Sequence, residues 1–174
     1  MVNAPRVVLS ALTRDDSSTL FRWINDRAEV LLGSAYHPVH ELQHDEWFHG
    51  VQQQANLVIF GIRLADTQEL IGSCQLRSID WIHRTADLQI RIGDSRHRGH
   101  GYGTEAVRQL LHFAFHDLNL RRVSLQVFAA NAVAVRVYEK AGFVREALLR
   151  EAAYIDGRYV DVIVMGALRH DGDA

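Results

Sequence analysis

The chain has 174 residues, of which 48 % are hydrophobic and 23 % charged, with a formal net charge of −2; this is enough length and apolar content for a full core. The near-neutral balance excludes a general nucleic-acid binder, which needs a basic footprint, and no apolar run reaches the roughly 18 residues of a membrane span. A lone cysteine, Cys74, excludes an internal disulfide and, with no signal-peptide pattern opening the chain, predicts a cytoplasmic protein.

Two prolines, Pro5 and Pro38, and the absence of linkers or repeats predict one domain over residues 1–174. Arg6 to Leu9 reads as a first strand, and Thr13-Arg14-Asp15-Asp16 opens a helix to about Trp23. From Asn25 to Gly50 the pattern breaks into two short helices with a turn near Pro38. Leu57 to Ile62 and Leu70 to Leu76 form a hairpin over Ala65-Asp66-Thr67-Gln68. Leu88, Ile90 and Ile92 alternate with Asp87, Gln89 and Arg91, the period of a strand. Val107, Leu110, Leu111, Ala114 and Leu118 then make a helical stripe. Arg122 to Phe128 alternates again, Asn131 caps a helix to Lys140, and Gly142 ends it. Phe143 to Ile155 and Arg158 to Leu168 close the chain as a hairpin over Asp156-Gly157, followed by a polar tail. This order predicts an α+β protein with helices on both faces of one sheet.

Between the fourth strand and its helix lies Arg98-Gly99-His100-Gly101-Tyr102-Gly103-Thr104. Its glycines permit φ > 0 and close approach to a ligand, and a helix starting at Thr104 would aim free amides into the loop. With Arg91, Arg96 and Arg98 nearby, the expected guest is a phosphate or pyrophosphate; a plain tight turn is the alternative. No Gly-Lys-Ser/Thr follows, so it is not a nucleotide-hydrolase loop, and it comes too late in the chain for a dinucleotide fold. One unit later Asn131, Val135 and Tyr138 share a helix face, which reads either as a cap and a tyrosine at one cleft or as a cap and a core tyrosine. His37, His40, His44 and His49 cluster, but no cysteine pair or His-Glu-x-x-His grouping accompanies them, so no metal is expected.

Taken together, Arg98-Gly99-His100-Gly101-Tyr102-Gly103, Asn131 and Tyr138-Glu139-Lys140-Ala141-Gly142-Phe143 resemble the signature of the GNAT acyltransferase superfamily. The Gly-Tyr-Gly-Thr-Glu-Ala run, Phe21 to Asp26 and Glu46-Trp47-Phe48 are similar to its ribosomal-protein N-terminal (RimJ/RimL-like) branch. The resemblance implies a mixed, mostly antiparallel sheet of about seven strands and acetyl-CoA as donor substrate, without a metal. It assigns the pyrophosphate to the main chain of Arg98, Gly99, His100, Gly101, Tyr102, Gly103 and Thr104. The pantetheine arm falls to the strand of Ile90, Arg91 and Ile92, with Asn131, Ala134 and Arg136 on the second helix; Ala134 stands where relatives often carry serine.

The resemblance further implies direct attack of an amine on the thioester, with Tyr138 as general acid to the leaving thiolate or as a group that orients the sulfur. Asp87 is the favoured base. Its alternatives are a salt bridge to Arg84 or Arg91, replacement by Asp80 or His83, and a water wire. The acceptor pocket is expected from residues 25–50 and the last hairpin. Trp23, Tyr36, Trp47 and Trp81 would be its walls, and Asp26, Glu29, Glu41 or Asp45 its attraction for a cation; the alternative is that the tryptophans are core anchors and the carboxylates a solvated helix face. Two acceptor classes remain, a small amine (aminosugar, amino acid, polyamine or antibiotic) and a protein α-amine. A non-catalytic acyl-CoA-binding module is the other reading. A homodimer through the C-terminal strands or a sheet edge is expected.

Overall fold

The structure, a computed structural model, describes residues 4–169. Seven strands form one sheet in the order β1-β2-β3-β4-β5-β7-β6. Strand β1 (Val7–Ser10) lies on one edge beside the hairpin of β2 (Val58–Leu64) and β3 (Leu70–Asp80), and β4 (Thr85–Ile92) returns along β3. Beyond β4 come β5 (Arg122–Phe128), β7 (Arg158–Leu168) and β6 (Val144–Ile155). Every neighbouring pair is antiparallel except β4 and β5. The turn between β6 and β7 has Asp156 at φ 48° and Gly157 at φ 83°, the left-handed pair that a two-residue hairpin of the favoured twist needs.

The apolar alternation seen along the chain decides which face is covered by what. Leu88 and, across β5, Val123, Leu125 and Val127 pack with Val107, Leu110 and Ala114 of α4 (Tyr102–His112) and its extension. Val135 and Tyr138 of α5 (Ala132–Ala141) complete that core. The last turn after α4, Phe113–Asp117, widens to π geometry, so the stripe ends in a bulged turn rather than a regular helix. On the opposite face a smaller cluster joins Leu12, Leu20 and Trp23 to Phe48, with Ile59 and Leu70 against it. Leu20 and Trp23 belong to α1 (Ser17–Ile24) and Phe48 to α3 (Glu41–Gly50), with the one-turn α2 (Arg27–Val30) between these helices.

Two contacts pin α1 to the sheet. The Arg63 guanidinium on β2 reaches both carboxylate oxygens of Asp16, at 2.8 and 2.7 Å, with both side chains largely out of solvent. Gly93, just past β4, lies flat under the Trp23 indole: a Cβ there would come within 2.0 Å of the ring. Among the described residues no helix is long and apolar enough to cross a membrane.

Removing one partner of a buried ion pair strands the other, so Asp16→Ala should cost about 3–5 kcal/mol. Gly93→Ala forces the indole out of place and should cost about 3 kcal/mol. Urea denaturation of the two variants beside the parent checks both values.

Candidate active site

Strands β4 and β5 pair only at Thr85↔Arg122, Ala86↔Val123 and Asp87↔Ser124. β4 then continues to Ile92 and β5 to Phe128, so the two strands fork. From residue 88 to 92 the β5-facing edge of β4 has no strand beside it, and buried backbone donors and acceptors need partners. An extended arm carrying amides fits such an edge as an added strand would. Ile90 and Ile92 point to the α4 and α5 side, where they pack on the main core.

At the open end of the fork the loop before α4 turns twice through positive φ, at Gly99 (76°) and Gly101 (83°). Gly101 is the N-cap, so α4 begins at Tyr102 rather than at Thr104: the left-handed residue ends the loop two positions earlier than the glycine pattern alone suggested. The first intrahelical bond is Glu105 N–H to the Gly101 carbonyl, at 3.2 Å. The amides of Tyr102, Gly103 and Thr104 therefore have no partner within the helix and point at the loop, which suits an anion. Gly103 is not needed for room within the protein, since a Cβ there would make ordinary contact with Val137 at 3.8 Å. Arg6 braces the loop: its Nη1 donates to the His100 carbonyl at 2.9 Å, its Nε to Glu105 at 3.1 Å, and its guanidinium lies 5.3 Å from the Tyr102 ring.

Of the three arginines expected to add charge to this loop, Arg96 and Arg98 are engaged elsewhere, and Arg91 points to the opposite face of the sheet from Ile90 and Ile92. Arg98 donates to the Ile92 carbonyl at 3.1 Å and is ion-paired with Glu29 of α2. Arg96 pairs with Asp94 at 2.8 Å and with Glu69 at 3.8 Å. Arg136 is exposed on α5, and Ala134 is half-buried with its amide donated to Asn131. What the loop offers a pyrophosphate is its main chain.

The two residues singled out for proton transfer lie on opposite faces of the forked sheet. Tyr138 is 9 % exposed in the α4–α5 core, with its ring edge-on to Phe143 at 5.9 Å. Burial pushes its phenol up to about 12, so the hydroxyl is neutral and a proton donor throughout the physiological range. Asp87 belongs to the last residue pair before the strands part, and it alternates away from Leu88 and Ile90 onto the other face. It accepts a hydrogen bond from Ser124 Oγ at 2.8 Å across the vertex. Among the described residues it has no ion pair to Arg84 or Arg91, so the salt-bridge alternative is not what the structure adopts. Ser124 was missed in the sequence, although its outward place in the β5 alternation put it on Asp87's face.

Asn131 caps α5 through its own oxygen, which accepts from Ala134 N–H at 3.1 Å, while its Nδ2 donates to the Leu32 carbonyl at 3.0 Å. One N–H and one lone pair of its amide are thus used by the fold, which leaves one of each for an arm or a water. With the Arg98–Glu29 pair and an Arg27–Asp156 pair at 2.6 Å, this makes α2 and the residues after it a strap. It ties the loop after β4, the end of β5 and the β6–β7 turn.

Of the residues expected to wall the pocket, Trp23, on α1, is a correction. At 5 % exposure and stacked over Gly93, it is a core anchor with no free face for an acceptor. Asp26 is the exposed N-cap of α2, accepting from Glu29 N–H at 3.3 Å, and lies near enough to Arg98 to favour its charge. Tyr36 is half-buried in the stretch after α2; Trp47 and Trp81 are exposed. Asp80 and His83 pair with each other at 3.5 Å in the β3–β4 turn, on the closed side of the fork. The histidine cluster is structural: His40 caps α3 and buried His44 bonds the Ser17 carbonyl at 2.9 Å. Among the described residues no group of three or more His, Cys, Asp or Glu is arranged to hold a metal ion. Cys74 is buried, and desolvation pushes its thiol up to about 12, which makes it unreactive.

Two measurements check these environments. Replacing Gly101 by Val puts a β-branched residue at φ 83° and should weaken CoA binding about tenfold by calorimetry, since the left-handed region costs about 1–2 kcal/mol. Because the folded state holds the Tyr138 proton more tightly than the unfolded chain, its contribution to stability is complete below about pH 10. It should be lost as pH rises through about 12, and Tyr138→Phe should remove that part of the alkaline loss in urea titrations.

The chain matches the acetyltransferase (GNAT) domain family over residues 6–144. It is similar to the spermidine N(1)-acetyltransferase of Vibrio cholerae, 41 % identical over 95 residues that cover 55 % of this chain and 54 % of that protein. The Escherichia coli K12 enzyme of the same name is 33 % identical over 102 residues, 59 % of this chain and 54 % of its own. The chain thus matches about half the length of these curated relatives. In three dimensions the likeness is longer. The crystal structure of the Vibrio cholerae enzyme with CoA and spermine superposes with a TM-score of 0.87 at 31 % identity, covering 97 % of this chain and 98 % of that one. The forked mixed sheet is the fold of these enzymes, and the chain belongs to the GNAT acetyltransferase family.

Proposed function

We propose that this protein is an acetyl-CoA-dependent N-acetyltransferase that acetylates the primary amine of a small molecule by direct attack on the thioester. The observation that carries this reading is the fork. A carboxylate, Asp87, stands at its vertex on one face, and a buried neutral phenol, Tyr138, stands in the core on the other. Acetyl-CoA supplies the activated acetyl group. Free amides of Tyr102, Gly103 and Thr104 receive its pyrophosphate, with the loop of Arg98, Gly99, His100 and Gly101 shaping the cradle. The unpaired edge of β4 at Ile90 and Ile92, with the main chain of Arg91 between them turned to Ser73 on β3, aligns the arm and offers an N–H to the developing oxyanion. Asp87, held by Ser124, takes the proton of the attacking amine, directly or through a water, and Tyr138 gives one to the departing thiolate.

Amines reach the vertex from the face that carries Asp87, past the strap and Tyr36. Polyamines, the substrates named for the relatives, belong to the small-amine class. The second reading is a protein α-amine, the acceptor of the ribosomal-protein branch. What favours it is the exposure of Gln89 and Gln126 on that same face, which leaves room for a polypeptide. We read β6 as a self-association surface, because this edge strand exposes Val144, Leu148, Leu149 and Tyr154, a long unpaired edge that a second copy would cover.

Release of free thiol from acetyl-CoA with a panel of amines tests the enzyme reading; tight CoA binding with no turnover of any amine refutes it in favour of a binding module. Tyr138→Phe should lower kcat about 100-fold with acetyl-CoA affinity little changed. Asp87→Asn should lower kcat by a similar factor at neutral pH, and an unchanged rate would acquit the carboxylate.

A further inference from the structure

The acceptor-side row of β4 is Asp87, Gln89 and Arg91, every second residue, pointing away from the core face of Leu88, Ile90 and Ile92. Its first two members are satisfied by the protein. Asp87 takes the Ser124 hydroxyl at 2.8 Å, and Gln89 takes the side-chain amide of Gln75, its β3 neighbour, at 2.5 Å. Arg91 is different. It is half-buried, and among the described residues its guanidinium makes no hydrogen bond, ion pair or ring contact. Desolvation lowers its pKa, and no carboxylate opposes that effect.

The acidic residues of the neighbouring strap have other partners. Glu29 is paired with Arg98 and Asp26 caps α2. The β3 residue beside Arg91 is the neutral Ser73, and Gly93, the next residue on its face, is covered by the Trp23 ring. A cation withdrawn from water with no partner is costly, because a guanidinium carries five donors that seek acceptors. Its site is the open prong of the fork, four residues from Asp87 and hence about 13 Å along the strand, a gap that the long arginine side chain can shorten. The same engagement of Glu29 removes an anion that a polycation would have needed on this side.

Resting on the acetyltransferase reading above, we propose that Arg91 is a specificity-determining residue and that the acceptor is a primary amine bearing an anionic group. The amine lies at Asp87 and the carboxylate or phosphate at Arg91. A polyamine puts a second cation where this chain holds an unpaired one, so this acceptor differs from those of the spermidine enzymes it resembles. Arginine is suited to the task, since its planar fork receives carboxylate or phosphate oxygens in pairs.

The test is a ratio of kcat/KM values within each protein, which cancels any effect on folding or on acetyl-CoA. Four amines are compared: 4-aminobutanoate, 3-aminopropyl phosphate, butylamine and spermidine. The wild type should prefer an anionic amine to butylamine, and the two anionic amines tell carboxylate from phosphate. In Arg91→Met that preference should fall at least tenfold and spermidine should gain relative to butylamine, while Arg91→Lys should restore part of the preference. An unchanged ratio in the active variant, or a wild type that prefers spermidine, overturns the assignment. A drop confined to the KM for acetyl-CoA also overturns it, by giving Arg91 to the donor. No turnover of any amine by the wild type is a different failure, that of the transferase reading, and this inference falls with it.

Discussion

Hydrogen bonding between β4 and β5 stops at Asp87 and Ser124, and the site depends on that stop. A parallel pair that continued would use its backbone groups on itself. By parting, the strands leave one edge of β4 unsatisfied in the middle of a sheet, where unpaired amides and carbonyls are costly. A ligand with its own amides relieves that cost. In the proposed reaction the same divergence lets a buried phenol from the helical core and a carboxylate from the opposite face address one reacting centre. Neither residue has to leave its own layer to do so.

Side chains around the mouth of the fork hold the protein together as much as they prepare it for ligand. Asn131 caps α5 and grips the Leu32 carbonyl, and Arg98 holds the end of β4 and Glu29. Residues of the motif that marks the donor site are therefore the posts of a strap on the acceptor side. A change at either would disturb two substrates at once, because the strap, the loop before α4 and the end of α5 share these bonds. The loop's work on an anion is left to backbone amides, whose directions are set by Gly99 and Gly101 in the left-handed region and held by helix geometry.

Much of this was legible in the residues themselves. Period-two alternation in Asp87 to Ile92 and in Arg122 to Phe128, helical stripes after each, and Asp156-Gly157 between the last strands were enough for the order of elements. The GNAT signature is local, so it survives in sequence as Arg98 to Gly103 and as Asn131 with Tyr138. The helix start at Tyr102 was not legible, because three alternate glycines do not say which of them turns last. Trp23 was ambiguous for a related reason: an aromatic near the end of a helix looks the same whether its flat face meets a ligand or a glycine such as Gly93 from a distant strand.

Sequence by itself determined the fold class and the family, because periodicity and a glycine motif act over a few residues. Tertiary structure decided the partners. That Asp87 meets Ser124, that Arg98 turns to Glu29, and that Arg91 has no hydrogen-bond or ion-pair partner among the described residues are outcomes of which strands lie side by side and where they part. The residues joined are 37 positions apart in the Ser124–Asp87 bond and 99 in the Asn131–Leu32 bond. No pattern along the chain encodes a meeting at that range, since it is the sheet, not the local sequence, that sets the neighbours.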